Sequence, residues 1–245
     1  MPRVTTDIRI DLAPTGRLRA GINYGNFILA ARDRQSGESR GVAIDLTNEL
    51  ARRLDVPLDL IAYDSVAAMV DAARTGAWDI AFLGIDPARA GDIAFTAAYL
   101  EIEATYLVPA GSRLSAVCDV DAAGVRVAAP ARANYELYLS RSLQHAQLVR
   151  PASASAAFDL LATGQVEALA GLREGLIGLA AKLPGSRVLD GRFMAVQQAV
   201  GMPHGRPAGL AYLRRFVEEA KASGLVAGAI ERTGAHGISV APRAE

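Results

Sequence analysis

Leu58-Asp-Leu-Ile-Ala-Tyr-Asp-Ser-Val-Ala-Ala-Met-Val-Asp-Ala-Ala-Arg-Thr-Gly-Ala-Trp-Asp-Ile-Ala-Phe-Leu83 decides the fold of this chain. Its opening, Leu58 to Tyr63, reads as a strand. Ser65 can then cap a helix whose buried face carries Val66, Met69, Val70 and Ala73. Gly76 stands where a C-terminal glycine stops such a helix. Asp79 to Leu83 reads as the next strand. Strand, helix and strand in so short a span imply a parallel pair with the helix covering one face.

The alternation extends both ways. Upstream, Leu18 to Ile22 is a short strand after the Pro14-Thr-Gly16 turn. Ile44, Leu46, Leu50, Ala51 and Leu54 then line one face of a helix that ends before Val56-Pro57. Downstream, Thr105 to Val108, Val125 to Ala129, Ala146 to Val149 and Val166 to Ala170 read as strands. Helices are expected over Asn134 to Leu143, over Ala154 to Thr163 (capped by Ser153, stopped by Gly164), and over Arg173 to Lys182. After a strand-like stretch, Ala195 to Met202, come two helices with no strand between them. Leu210, Leu213, Val217 and Ala220 form the apolar stripe of the first, and Gly224 separates it from Leu225 to Arg232. The reading is an α/β fold of two units, each a mostly parallel sheet flanked by helices. No Ser/Pro/Gly-rich linker separates them.

Composition narrows the function. The chain has 245 residues, 51% hydrophobic but only 6% aromatic, so Ala, Leu, Val and Ile build its core. Lys+Arg and Asp+Glu are both 26, which leaves no basic excess to hold a nucleic-acid backbone. The single cysteine, Cys118, precludes an internal disulfide and lacks a nearby histidine to activate it. His145, His204 and His236 are far apart and lack metal-ligand spacing, so no metal site is expected. There is no nucleophile elbow, Walker loop or dinucleotide fingerprint; Gly171, Gly175 and Gly178 have the wrong spacing for the last. No apolar run is long enough to span a bilayer. The amino terminus from Met1 shows no apolar core followed by a small-residue cleavage site, so no secretory leader is expected in it.

Arg89 stands out in Phe82-Leu-Gly-Ile-Asp-Pro-Ala-Arg-Ala-Gly-Asp-Ile-Ala-Phe-Thr-Ala-Ala-Tyr99, just past a strand and within a Gly/Pro loop. A guanidinium there offers a planar fork that matches a carboxylate two-for-two, each charge-assisted bond contributing about 1.5–3 kcal/mol. The alternative is an arginine solvated on a surface loop. Glu101 and Glu103 stand two residues apart on an extended segment, which puts them on the same face; they read either as solvated side chains or as a general acid or base.

Asp86-Pro-Ala-Arg89, with Asp92-Ile-Ala-Phe-Thr96 and Tyr99, resembles the Thr-Pro-x-Arg…Ile-Asp-Phe-Ser…Tyr block of the bacterial extracellular solute-binding proteins of family 3. Gly41 to Leu54 and Gly76 to Ala81 add to the likeness, which covers roughly Leu18 to Arg232. The family comprises the type II periplasmic binding proteins that serve amino-acid ABC transporters. The resemblance implies two lobes, residues 1–99 with 200–245 and residues 100–199. Crossings near 100–103 and 194–200 would join them, and a ligand cleft would lie between lobes that close on the ligand. It makes Arg89 the α-carboxylate ligand, aided by the Gly84 main chain beside Phe82. It places Asn23 and Asn26 in the contact loop after the first strand, and Asn134 and Tyr135 at a helix start that favours an anion. Where the family usually holds the ligand ammonium with an acidic residue, this chain has Leu172, followed by Arg173 and Glu174. The expected ligand is an amino acid or an organic acid: Leu172 argues for an acid without an amino group unless Glu174 turns inward, and Arg173 for an additional anionic group, as in a dicarboxylate. The expected partners are a small carboxylate and a transporter permease, with no cofactor, for a monomer. The resemblance implies a periplasmic location, and the missing leader keeps a cytoplasmic one open. A dehydratase of the cyclohexadienyl or arogenate type, using Glu101 or Glu174 as a proton donor, and a ligand-sensing module are the alternatives.

Overall fold

The computed structural model describes residues 4–33 and 35–244. The first three residues of the segment read for a leader lie outside the described residues. In chain order the elements begin with α1 (Thr6–Leu12), β1 (Leu18–Asn23), the short pair β2 (Ala31–Arg32) and β3 (Ser39–Arg40), and α2 (Val42–Leu54). Then come β4 (Leu58–Tyr63), α3 (Val66–Asp71), β5 (Ile80–Gly84), β6 (Ile93–Val108), β7 (Arg126–Ala128), α4 (Asn134–Ser142) and β8 (Gln147–Val149). The rest are α5 (Ala154–Ala162), β9 (Ala168–Leu172), α6 (Arg173–Ala180), β10 (Arg187–Val188), β11 (Met194–Pro203), α7 (Pro207–Ala222), α8 (Leu225–Thr233) and β12 (Ile238–Val240). The chain divides into two compact units: unit 1 runs to Glu101 and resumes at Gln197, and unit 2 is Ile102–Val196.

In unit 1 the strand order is β4-β1-β5-β11-β6. β1 pairs in parallel with β4 and with β5, and β11 pairs antiparallel with β5. The chain leaves β1 in one direction to reach β4 and crosses back to reach β5. Right-handed crossovers in opposite directions place α2 and α3 on opposite faces of the sheet. Met69 of α3 accordingly packs with Trp78, Ala81 and Leu83, and Phe82, between them in β5, points to the other face. The indole of Trp78 donates to the Met69 carbonyl at 2.9 Å. Ser65 Oγ accepts from Ala68 N at 3.2 Å, as its capping role requires, and Gly76 adopts the left-handed φ of 65° that ends the helical run.

Unit 2 repeats the layout. β7 pairs in parallel with β8 and β9, β9 pairs antiparallel with β6, and β10 adds to β6. Leu139 of α4 packs on one side, with Val127, Ala168 and Ala170. Ala157 and Leu161 of α5 pack on the other, with Ala128 and Leu169.

Besides the short β2–β3 pair, which the sequence reading also lacked, the structure departs from the sequence expectation at four places. α1 was not anticipated: its Ile8 and Leu12 are buried while Ile10 is exposed. It is anchored by Asp11, whose carboxylate accepts from Gly209 N at 2.8 Å at the start of α7. β6 is one continuous strand of 16 residues rather than a short strand from Thr105. β10 also went unread. β12 follows α8 where no strand was expected, and Ala241 N donates to Tyr99 O at 3.2 Å.

Candidate functional site

In unit 1 the strand order reverses between β1 and β5, and open α/β sheets bind ligands outside the carboxyl ends of the strands at such a reversal. The register Ala20↔Ile80 and Gly21↔Ala81 brings the ends of both strands, Asn23 and Gly84, to one edge of the sheet. From that edge β5 runs into Ile85-Asp86, and Pro87 starts a single 3₁₀ turn, Pro87–Arg89. Asp86 Oδ1 caps the turn through Ala88 N at 2.9 Å. The turn brings Arg89 back over the strand end. Arg89 is 4% exposed, and its Nη1 donates to the Gly84 carbonyl at 2.7 Å. That bond orients the guanidinium plane, which a two-point grip on a carboxylate needs.

The segment beyond is braced on both sides. His204 Nε2 lies 2.9 Å from the Ala90 carbonyl, and Arg74 forms a two-point pair with Asp92 at 3.1 and 2.9 Å. The Arg74 guanidinium holds the Asp92 carboxyl below its ordinary range. Arg89 is thus not a solvated surface side chain.

After β1, Asn23 Oδ1 accepts from Gly25 N at 3.0 Å, turning the chain, and the Asn26 carbonyl accepts from Leu29 N and Ala30 N. Tyr24 Oη meets Ser39 Oγ at 2.6 Å and tethers this loop to β3. Asn26 Oδ1 is buried without a hydrogen-bond partner. Phe27, next in the loop, is 54% exposed. The sequence reading passed over Phe27; a large aromatic beside Asn26 in a loop after a strand was the available signal. Phe82, 2% exposed, meets Tyr99 edge-to-face with ring centroids 5.8 Å apart.

Unit 2 has its own reversal, between β7 and β9, and the remaining predicted residues follow those strands. Asn134 is buried at the start of α4. Tyr135 packs partly buried on the cluster that holds Leu139, and burial pushes its phenol up to about 12. An anion already sits at this helix start, and it belongs to the protein: the Glu136 carboxylate accepts from Arg132 N at 2.9 Å and Arg150 Nε at 2.7 Å. Arg173 is engaged as well. Its Nε donates to Glu103 Oε2 at 2.6 Å, and its other nitrogens reach the carbonyls of Leu189 and Gly191. The charge read from the sequence as a seat for a second anionic group is matched by Glu103, 70 residues away in the chain. Glu103, one of the two candidate acid–base residues, is committed to the same pair.

Unit 1 therefore holds a buried arginine, oriented by main chain, at the switch point of a doubly wound sheet. The sequence profile of the bacterial extracellular solute-binding proteins, family 3, matches residues 18–233. The chain belongs to that family. Among solved structures it is similar to a putative ABC-transporter binding component from Wolinella succinogenes complexed with lysine, at 21% identity and a TM-score of 0.75, covering 89% of this chain and 95% of that one. It is similar to an amino acid ABC transporter substrate-binding protein from Streptococcus pneumoniae bound to L-arginine, at 18% identity and a TM-score of 0.76, over 97% of this chain and 100% of that one. A third is the ancestral amino acid-binding protein AncCDT-1, described as a precursor of cyclohexadienyl dehydratase, at 21% identity and a TM-score of 0.74, over 94% and 99% of the two chains. At these identities the likeness establishes the shared fold. No curated protein matches the chain.

Proposed function

We propose that this chain is the non-catalytic substrate-binding component of an ABC transporter, that it captures a small molecule by its carboxylate, and that Arg89 is the residue that does so. The observation that carries the proposal is the buried Arg89 guanidinium held on the Gly84 carbonyl at the end of β5. Asn23, Asn26, Phe27, Phe82 and Gly84, in or just after β1 and β5, are the companion candidates in unit 1; Asn134 and Tyr135 are the candidates in unit 2 taken by itself. An amino acid or a related organic acid is the ligand class, supported by the structural relatives bound to lysine and arginine. The pairing of Arg173 with Glu103 favours a ligand with one carboxylate over a dicarboxylate. The family is one of extracellular proteins, so we place the chain outside the cytoplasmic membrane as a monomer that delivers its ligand to a permease.

Calorimetry of the purified chain against amino acids and matched organic acids tests this. Arg89→Ala removes two charge-assisted bonds of about 1.5–3 kcal/mol each and should weaken binding about 10²- to 10⁴-fold. Because Arg89 is buried, the same change should cost about 1–3 kcal/mol of stability. Arg89→Lys, which keeps the charge and loses the fork, is the companion variant. Unaltered affinity in both would refute the assignment. Turnover of prephenate by the wild-type chain would favour an enzyme instead, the reading that the AncCDT-1 likeness brings into view.

A further inference from the structure

Among the described residues, four buried side-chain polar atoms lack a hydrogen-bond partner: Asn26 Oδ1, Tyr99 Oη, Gln198 Oε1 and Glu218 Oε1. Glu218 has Lys221 Nζ at 2.7 Å and so has an ionic neighbour. Of the other three, Tyr99 and Gln198 each neighbour β5. Asn26 lies in the loop after β1, Tyr99 touches Phe82 of β5, and Gln198 pairs in β11 with Gly84, the last residue of β5. Leaving a buried amide oxygen unpaired is costly, so folded proteins pair such atoms with protein, water or ligand.

Gln198 is the most constrained of the three. It is 4% exposed. Cross-strand partners project their side chains from the same face of a sheet, and its partner is a glycine, so no side chain occupies the position opposite. Phe82 lies two residues earlier in β5 and on that same face. The carbonyl of Gly84 holds Arg89. A buried amide whose Oε1 has no partner thus stands across the sheet from Gly84, the residue whose carbonyl orients Arg89.

We infer that Gln198 is a specificity-determining residue, whose amide accepts a hydrogen bond from a donor on the ligand carbon next to the carboxylate, so that the protein selects 2-amino or 2-hydroxy acids over plain carboxylic acids. This rests on the assignment of Arg89 as the carboxylate ligand. A neutral amide oxygen accepts from an ammonium or a hydroxyl alike. The chain therefore tolerates both donors and penalises their absence. Sites built to pair a ligand N–H or O–H discriminate strongly against the analogue lacking it, because a buried polar group is then stranded.

The test is calorimetry with matched triplets on the side chains of arginine, lysine, glutamine and leucine: the L-amino acid, the 2-hydroxy acid, and the acid with hydrogen at that carbon. Wild-type protein, Gln198→Met and Arg89→Ala are compared, with melting curves for each. The expected result is that the wild type prefers the amino and hydroxy members of the triplet it binds by about tenfold or more. Gln198→Met should flatten that preference while keeping affinity for the plain acid, and should melt no lower than the wild type. Two results would overturn the inference and leave the Arg89 assignment standing: a wild type that binds the plain acid equally well, or a Gln198→Met variant that keeps the full preference, as it would if Oε1 merely meets an internal water. Failure of the wild type to bind any member, or indifference to Arg89→Ala, would defeat both.

Discussion

Asp79→Asn should unfold unit 1 at a markedly lower temperature without changing ligand affinity in the protein that remains folded. Asp79 directly precedes β5 and is fully buried, and its carboxylate anchors two arginines. Oδ2 accepts from Arg19 N at 3.1 Å and Arg19 Nε at 3.0 Å; Oδ1 accepts from Arg19 Nη2 at 2.8 Å and Arg206 Nη1 at 3.1 Å. Arg206 also donates to the Asp11 carbonyl at 2.9 Å, so the cluster ties α1, β1, β5 and the start of α7 together. An asparagine keeps the shape but loses the charge, and it turns an amide N–H₂ toward guanidinium donors. Breaking a buried pair typically costs about 3–5 kcal/mol. Arg19 and Arg206 retain 24% and 21% side-chain exposure, so solvent relieves part of their loss and the lower half of that range applies. At roughly 2–4 °C per kcal/mol for a chain this long, the melting midpoint should fall by about 6–16 °C. Asp79 and Gly84 stand at opposite ends of a strand that rises about 3.3 Å per residue, so the Arg89 end is some 15 Å away. Urea unfolding and thermal melts, with calorimetry below the transition, decide the matter. A midpoint within about 2 °C of wild type would refute the reasoning, as would a large affinity loss at full folding.

The remaining predictions concern unit 2 and pH. Arg173→Ala should lower stability by about 1–3 kcal/mol through the lost Glu103 pair and carbonyl bonds, and change ligand affinity less than about threefold; a hundredfold loss of affinity would return Arg173 to the binding site. Glu49, on α2, is held down to about 2 by Arg52 first and by Arg53. Its folded value lies below the unfolded one, so its contribution is present above about pH 4.5 and is lost as pH falls toward 2. Urea unfolding of Glu49→Gln should therefore show a deficit of about 1 kcal/mol at pH 7 that vanishes by about pH 2; a deficit unchanged with pH would count against the pairing.

Much of the fold was legible because its determinants are local. Ser65 and Ser153 cap the helices that follow them, each accepting from the N–H three residues on. Gly76 and Gly164 adopt the left-handed backbone that ends a helical run. The apolar face of α2, through Leu46, Leu50 and Leu54, is readable from spacing alone. α1 was not legible: it is a seven-residue helix whose two buried side chains gain their burial from packing that the segment itself does not encode. β6 was read too short because a strand's length depends on partners, and its partners come from residues far downstream. Arg89 could be singled out by its place after a strand, whereas its burial and its bond to Gly84 could not.

The sequence by itself determined where strands and helices alternate and that a lone arginine follows β5. It also determined that the chain carries no basic excess. Only the tertiary structure decided which charges are committed. Arg173 looked available until the sheet brought Glu103 beside it, and Gln198 looked unremarkable until its strand paired with Gly84. The physical reason is that capping and periodicity act within a few residues, whereas ion pairing, register and burial depend on chain segments that only the folded sheet brings together.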